Sequence, residues 1–443
     1  MKVSIIIPII RPESAERCIK AIKKNAGLPI NQYEIVSDMD VHGIGCPRMV
    51  EKLTKKTKHD LVMFLGDDTE PEKDFLKHAL EAMNNLPDGW GVVGLNTNGP
   101  QFGLLGNHTI PQNCNPLAHW MADKRILDHI PGGSFFSTDY KHCWCDNELF
   151  DIADDMGRWV FAEKSKVIHV HPINKTAELD DGYKKAYSEG NEQHDFRTYC
   201  NRKRNRMKEK YGTKLAIAVP LTDEMVYRHF FYSFVQVVVK YMMFLVETGK
   251  PIVFDIFMPD FPCQVDAARN NLVQQALLSG CTHILMMDSD QIYLTTDIAE
   301  KMLEHNKPVV GARVHRRYPP FDPLLLRGRP GKLYQIPDNE VQKEDGTFEK
   351  ELSVDNTGTG CVLYDMQVFI DAIPEKWFQL KVGDLGQPIG EDVYFHSRLN
   401  ERGIPIVVDC SIDIKHLTLL AADWGTYKLF KKIVGGKAGG KHW

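Results

Sequence analysis

The chain has 443 residues, a formal net charge of −5 at pH 7, and 43% hydrophobic residues. This length and apolar content suffice for two domains with buried cores. The small negative charge excludes a protein that binds polyanions through a uniformly basic surface. Ten cysteines occur without the paired spacing of zinc sites, which is typical of reduced thiols. We therefore predict a cytoplasmic protein, and the first apolar run is too short and too charged at its end to be a signal peptide.

The first half alternates apolar runs of strand length with segments of helical periodicity. Its apolar strands end in proline or in carboxylates, which places polar groups where the strands leave the core. This alternation predicts an α/β domain with a mostly parallel sheet, whose ligands bind beyond the carboxyl ends of the strands. The predicted elements are a strand over 3–8, a helix from Ser14, a strand over 33–36, a helix over 47–57 and a strand over 61–65.

The second half repeats this plan in the same order. A proline closes its first strand too, and its last strand also ends in carboxylates. A repeat of this length indicates two copies of one α/β nucleotide-binding plan, so we predict tandem domains over 1–212 and 213–443. The predicted elements are a strand over 215–220, a helix over 230–246, a strand over 252–256, a helix containing 268–270 and a strand over 284–287.

One segment, 230–246, has membrane-like hydropathy. Gln236 and Lys240 interrupt it, and it falls short of the run of about 20 apolar residues that a transmembrane helix needs. We therefore predict no transmembrane segment. A buried helix is the favoured interpretation, and a helix at a membrane surface is the alternative.

Two carboxylates, Asp288 and Asp290, follow the last predicted strand of the second half. Carboxylates at positions i and i+2 can reach one hard divalent cation, such as Mg²⁺ or Mn²⁺, which shares its oxygen ligands with a diphosphate. An isolated Asp-x-Asp is more often a solvated turn, so other residues must decide. Both halves then close with an acid followed, after the same number of residues, by a histidine: Asp146 and His171, and Glu391 and His416.

Together these motifs resemble the GT-A fold, family 2-type inverting glycosyltransferases. The resemblance rests on Asp288-Ser-Asp290, the preceding Ala-Ala-Arg-Asn, Gly358-Thr-Gly360, Glu391-Asp392 and His416. The first half is similar through Leu65-Gly-Asp-Asp-Thr-Glu-Pro71. The resemblance implies two tandem GT-A domains, similar in layout to two-domain polysaccharide synthases and phage-type transferases.

The resemblance also implies roles for single residues. In the second half they are Asp288 at the ribose or metal, Asp290 and His416 at the metal, Asp392 or Glu391 as general base, and Asp255 at the nucleotide base. In the first half they are Asp68 and either His169 or His171 at the metal, Asp38 at the nucleotide base, and Asp146 in catalysis. Arg48 and Arg269, at matching positions, either support the diphosphate or cap a helix.

The first half departs from the Asp-x-Asp pattern. Alignment by Arg48 pairs Asp67 with Asp288 and puts Thr69 at the metal position, whereas alignment by the Asp-Thr-Glu-Pro pattern assigns that position to Asp68. If Asp146 pairs with Glu391, Asn147 also stands where the second half has Asp392. The sequence therefore favours the second half as the catalytic one.

The implied reaction moves a sugar from a UDP- or GDP-sugar to an acceptor hydroxyl, with Mn²⁺ or Mg²⁺ and with inversion. A glycan is the first candidate for the acceptor. The basic segment 202–210 and the lysine-rich tail 428–443 motivate a hydroxylated base of phage-type DNA as a second. The alternatives are a nucleotidyltransferase, which also uses metal-bound carboxylates, and a nucleic-acid-binding scaffold with relic pockets. The oligomeric state stays open.

Overall fold

A computed structural model describes residues 1–100, 105, 108–248, 252–259, 261–372, 376–383, 386–418 and 424–433. Most of the lysine-rich tail, from residue 434 onward, thus lies outside the described residues. The chain divides into two compact units, Met1–Arg206 and Met207–Trp443. The division falls inside helix Glu189–Tyr211, a few residues before the predicted boundary.

The first unit alternates strands and helices along the chain. Its strands are β1 (Val3–Ile9), β2 (Tyr33–Met39), β3 (Leu61–Phe64), β4 (Thr69–Pro71), β5 (Val92–Thr97), β6 (Trp120–Asp123) and β7 (Trp159–His169). Its α-helices are α1 (Pro12–Asn25), α2 (Cys46–Thr54), α3 (Phe75–Met83), α4 (Cys145–Asp155), α5 (Asp181–Ala186) and α6 (Glu189–Tyr211). Short 3₁₀ turns lie at Ile30–Gln32, Pro87–Gly89, Lys124–His129 and Pro172–Asn174.

The strands of the first unit form one mixed sheet in the order β2-β1-β3-β6-β5-β7-β4. The strands β6 and β4 run opposite to the other five. Val3, Ile5 and Ile7 of β1 are fully buried in the core, as an apolar run covered on both faces requires. The predicted α/β class with a mostly parallel sheet is confirmed.

The second unit contains more short strands than the first. Its strands are β8 (Thr213–Ala218), β9 (Ile252–Phe257), β10 (His283–Met287), β11 (Gln291–Tyr293), β12 (Val309–Val314), β13 (Leu325–Arg329), β14 (Lys332–Gln335), β15 (Leu352–Val354), β16 (Asn356–Thr357), β17 (Cys361–Asp365), β18 (Lys381–Val382), β19 (Pro388–Ile389) and β20 (Ile406–His416). Its helices are α7 (Arg228–Thr248), α8 (Val265–Leu278), α9 (Ile298–Glu304), α10 (Asp338–Val341), α11 (Gln367–Ile370), α12 (Glu391–Glu401) and α13 (Trp424–Ile433).

The main sheet of the second unit has the order β9-β8-β10-β17-β12-β20-β11, with β15 added on β20. The strands β17 and β11 run opposite to the other five strands of this order. These five occupy the same places in the order as the five parallel strands of the first sheet. Apart from β15, the two sheets therefore share one strand order and one pattern of strand directions. This common order makes residues of the two units comparable by position.

The helix α7 buries only one of its faces. Phe230, Phe234 and Val237 lie in the core, whereas Phe231 and Tyr232 are exposed. The helix that was predicted to be buried is therefore buried on one face only. Apolar side chains lie on its buried face and on its exposed face. Among the described residues, no helix is both long enough and apolar enough to span a membrane.

Candidate functional site

A cleft with a volume of about 390 Å³ opens at the carboxyl edge of the first sheet. Its walls come from the segments that follow β1, β2 and β3 and from the start of α4. Chain segments that leave neighbouring parallel strands meet at this edge, which is where α/β sheets bind ligands. Polar side chains that line the cleft include Arg11, Asp40, Asp67, Asp68 and Asp146.

Two histidines lie beside Asp68 because β4 and β7 form an antiparallel ladder. Thr69 pairs with His169, and the N–H of Val170 donates to the carbonyl of Asp68 at 2.9 Å. His169 Nε2 lies 3.4 Å from Asp68 Oδ1, and ligand atoms of Asp68, His169 and His171 all lie within 4.8 Å of one another. No second group of this kind occurs among the described residues. A carboxylate with two imidazoles is a ligand set typical of a divalent transition metal.

His171 is buried and has one ring nitrogen without a partner. Its Nδ1 accepts a hydrogen bond from the N–H of Ile173 at 3.1 Å, and its Nε2 has no partner among the described residues. A buried polar atom in this state is costly unless it gains a ligand. The bond to Nδ1 keeps the ring proton on Nε2, so a cation can bind Nε2 only after that proton moves. Asp68 and His169 are therefore the ready ligands, and His171 is a third that must change tautomer.

The protonation states of this group suit a cation. Burial opposes ionisation of Asp68, but hydrogen bonds with His169 and Tyr183 hold the pKa of its carboxyl below the usual value. Burial and the neighbouring His169 lower the pKa of His171 to about 4. At pH 7 the site thus presents an ionised carboxylate and a neutral His171, as metal binding requires.

Tyr183 and Arg11 complete the surroundings of Asp68, and sequence reasoning missed both. The Tyr183 hydroxyl donates to Asp68 Oδ2 at 2.6 Å, across 115 positions of the chain. The Arg11 guanidinium lies 3.7 Å from the centre of the Tyr183 ring and forms an ion pair with Asp180 at 2.8 Å. Arg11 follows the first strand directly, and that position was a usable signal. Tyr183 lies in no motif, so only the tertiary structure identifies it.

Asp146 lies in the first turn of α4 and lines the same cleft. Its Oδ1 accepts a hydrogen bond from the N–H of Asn147 at 3.0 Å. Burial raises the pKa of the Asp146 carboxyl above its usual value. A partly desolvated carboxylate at a cleft is a stronger base than one in water, which suits it to accept a proton from a bound hydroxyl group.

Asp67 binds the loop between β1 and α1, although a nucleotide contact was predicted for it. Its Oδ2 accepts hydrogen bonds from the N–H groups of Ile10 and Arg11, both at 2.6 Å. Its Oδ1 lies 3.3 Å from the Arg11 guanidinium. Both carboxylate oxygens are thus used to join the end of β3 to the loop between β1 and α1, which positions Arg11 at the cleft.

The substitution Asp67→Asn is expected to lower the free energy of unfolding by about 2 kcal/mol, because it removes charge-assisted hydrogen bonds from a buried carboxylate to the loop between β1 and α1. Urea unfolding followed by tryptophan fluorescence measures the change. The matched control is Asp38→Asn, which removes a carboxylate on the surface and is expected to leave the unfolding midpoint unchanged. Equal shifts in the two variants would contradict the role assigned to Asp67.

The residues predicted to bind the nucleotide base and diphosphate in the first half do not line the cleft. Asp38 forms ion pairs at 3.1 Å with Lys52 of α2 and at 2.7 Å with Lys56, which follows that helix. Arg48 is exposed on the same helix. The strand β2 ends at Met39, and Asp40, in the loop beyond it, is the acid that reaches the cleft. The predictions for Asp38 and Arg48 are therefore not supported.

The shared strand order decides between the two alignments of the halves. Thr69 opposes His169 between β4 and β7. Gln291 opposes His416 between β11 and β20. The alignment by the Asp-Thr-Glu-Pro pattern is therefore correct, and Gly66 takes the place of the first carboxylate of Asp-x-Asp. The equivalent residues are Asp68 and Asp290, and His169 and His416.

The helices α4 and α12 show which candidate general bases of the two units are equivalent. Both have 11 residues, and Asp146 and Asp392 are each the second residue of their helix. The equal intervals that had paired Asp146 with Glu391, and His171 with His416, are therefore misleading. Burial and the neighbouring Glu391 raise the pKa of Asp392 to about 6. Asp392 is thus the counterpart of Asp146.

Three of the predicted site residues in the second unit bind one another. Arg269 is 3% exposed, and its guanidinium lies 3.0 Å from Asp288 and 3.2 Å from Glu391. Because Glu391 is held in this ion pair, Asp392 is the better placed of the two base candidates. Arg269 is occupied by protein carboxylates, although a diphosphate contact was one of its two predicted roles.

The structure also brings together Asp290 and His416. His416 Nε2 lies 3.2 Å from Asp290 Oδ2, and His416 Nδ1 donates to the carbonyl of His315 at 2.7 Å. Arg317, however, contacts the same Asp290 oxygen and lies 3.4 Å from His416 Nε2. Asp288, bound to Arg269, does not join the pair in a three-ligand group. The preference for the second half is therefore reversed, since the three-ligand group of the described residues lies in the first unit.

Asp255 is placed differently from its prediction. It lies inside β9, and its Oδ2 is 3.2 Å from Lys214 Nζ and 3.9 Å from Cys281 Sγ. Lys214 lies near the amino end of β8, and Cys281 precedes β10, so Asp255 faces the amino-terminal edge of the sheet. Ligands bind at the opposite edge, so these contacts do not support the predicted role of Asp255 at a nucleotide base.

Three cations of the basic segment 202–210 are neutralised within the protein. Arg202 and Arg206 of α6 contact the buried carboxylate of Glu148 at 2.9 and 2.7 Å. Lys203 contacts Asp151 at 2.9 Å. These three cations are mostly buried and already paired, so they are not free to bind phosphates. The observation that motivated a DNA acceptor is thereby weakened.

Comparisons with known proteins give limited similarity. No protein-family model matches the sequence, and no curated protein matches it. Solved structures similar to this chain include S. aureus TarS 1–349 in complex with UDP, with a TM-score of 0.33 and 14% identity over 46% of this chain. A complex of the same TarS fragment with UDP-GlcNAc has a TM-score of 0.32 and 14% identity over 46% of this chain and 67% of that chain. A197 from STIV has a TM-score of 0.27 and 16% identity over 46% of this chain and 85% of that chain. The match spans 66% of the UDP-bound TarS fragment.

Proposed function

We propose that the first unit is a metal-dependent glycosyltransferase. It transfers a sugar from a UDP- or GDP-sugar to an acceptor hydroxyl with inversion. The observation that carries this proposal is the placement of the Asp68, His169 and His171 group and of Asp146 around one cleft at the carboxyl edge of the sheet. A cation site and a partly buried carboxylate facing the same cavity are the two parts that such a transfer needs.

The side chains present fit a divalent cation. Asp68 and His169 would hold it, and the unpartnered Nε2 of buried His171 supplies a third ligand after the change of tautomer. Two imidazoles favour Mn²⁺ over Mg²⁺, which prefers oxygen ligands. When bound, the ion supplies Lewis-acid neutralisation of the diphosphate leaving group.

The protein's own residues supply the remaining chemistry. Asp146 accepts the proton of the acceptor hydroxyl as its oxygen attacks the anomeric carbon, and a single displacement inverts that carbon. Tyr183 holds the Asp68 carboxylate through its hydroxyl. Arg11 lines the cleft beside this carboxylate, and its ion pairs with Asp67 and Asp180 hold it there. We propose a glycan hydroxyl as the acceptor.

The test is turnover of UDP- and GDP-sugars by the full chain with Mn²⁺ and without acceptor. We expect slow release of a nucleoside diphosphate and free sugar from one donor, and loss of this release on chelation of the metal. A nucleotidyltransferase would instead release pyrophosphate from a nucleoside triphosphate and a sugar phosphate. A scaffold with relic pockets would neither bind nor turn over any donor, and that result would refute the proposal.

A further inference from the structure

In the second unit, an arginine side chain contacts the two candidate metal ligands, Asp290 and His416. Arg317 contacts Asp290 Oδ2, and its Nε lies 3.4 Å from His416 Nε2. His416 donates from Nδ1 to a backbone carbonyl, so its Nε2 carries the lone pair that faces Arg317. The guanidinium therefore occupies the side of the pair on which a metal ion would have to bind.

Because of two further differences, the Asp290–His416 pair lacks a third ligand like the one in the Asp68, His169 and His171 group of the first unit. Asp288, the first carboxylate of Asp-x-Asp, forms an ion pair at 3.0 Å with Arg269, which is 3% exposed. The residue two positions after His416 is Thr418, whereas the first unit has His171 two positions after His169. Asp290 and His416 are left as two ligands, which Arg317 already contacts. With Arg317 in place, Asp290 and His416 therefore do not fit a divalent cation.

We propose that Arg317 replaces the divalent cation at Asp290 and His416 of the second unit, so that the described part of the chain binds one metal ion, in the first unit. The guanidinium supplies one positive charge to Asp290 permanently, and its side chain is 42% exposed, so it also faces solvent. The count of one ion rests on the function proposed for the first unit. The exclusion of metal by Arg317 does not, because it depends only on contacts within the second unit.

The experiment counts Mn²⁺ ions bound to the full chain, from the electron paramagnetic resonance signal of free Mn²⁺ during titration. We expect one ion for the wild type, none for Asp68→Asn and one for Asp290→Asn. Two ions bound to the wild type, with one lost in Asp290→Asn, would overturn the proposal. This readout needs no donor, acceptor or activity.

The decisive variant is Arg317→Ala, which opens the Asp290–His416 pair. We expect it to bind two ions, and Arg317→Ala combined with Asp290→Asn to return to one. Arg317→Lys keeps a positive charge and is expected to stay at one, which separates charge from a general disturbance of the loop. Arg317→Ala with no additional ion would refute the exclusion. A wild type with no ion and Arg317→Ala with one would instead refute the metal in the first unit while supporting the role of Arg317.

Discussion

Replacing Asp68 by asparagine is expected to reduce Mn²⁺-dependent release of nucleoside diphosphate by about 10³-fold. The substitution removes the one ionised carboxylate of the group and leaves only the two imidazoles as ligands. Stabilisation of the leaving group by a metal is worth several kcal/mol, and each 1.4 kcal/mol or so changes the rate about tenfold. Steady-state turnover of the identified donor, at saturating Mn²⁺, measures the loss.

The matched control is Asp290→Asn, at the equivalent position of the second unit. We expect turnover like that of the wild type, since Asp290 is paired with Arg317 and His416 in the unit for which we propose no metal. Circular dichroism of both variants checks that each is folded. If Asp290→Asn lost turnover and Asp68→Asn kept it, the catalytic site would have to be assigned to the second unit.

The substitution Asp146→Asn is expected to reduce sugar transfer by about 10² to 10⁴-fold, the usual contribution of a general base. Mn²⁺ binding should be unchanged, since Asp146 is not in the ligand group. In the wild type the base must be ionised, and burial raises its pKa. Transfer should therefore fall as the pH is lowered through a pKa above the usual value for an aspartate. The pH profile of kcat/KM, measured with donor and acceptor, tests this direction.

Asp392→Asn is the control for that experiment. Asp392 is the second residue of α12, as Asp146 is of α4, and burial also raises its pKa. We expect this variant to keep the wild-type rate and pH profile. An acidic limb that disappeared in Asp392→Asn and persisted in Asp146→Asn would show that the base lies in the second unit.

Apolar periodicity alone was enough to predict the α/β class and the elements that carry the site. The strands β1, β3, β8 and β10 were evident as short apolar runs, because a strand buried on both faces has little room for polar side chains. The carboxylates that end such runs were evident for the same reason. Asp68 was evident in this way, whereas Asp146 was selected through the family resemblance, and both line the cleft.

Matching of the two halves by sequence interval failed where the chain inserts a residue between elements. The intervals from Asp146 to His171 and from Glu391 to His416 are equal, yet the strand pairing makes His169 the equivalent of His416. Hydrogen bonds between strands depend on register, and register is a property of two segments far apart in the chain.

The sequence by itself therefore determined the fold class, the repeated order of strands and helices, and the acids at the ends of the strands, because these depend on local periodicity. The tertiary structure alone decided which charges are free to act. Arg269 and Arg202 are bound to buried carboxylates, Arg317 lies against Asp290, and Tyr183 reaches Asp68. Whether a charged side chain meets a ligand or a partner within the protein depends on contacts between distant segments, which no local pattern contains.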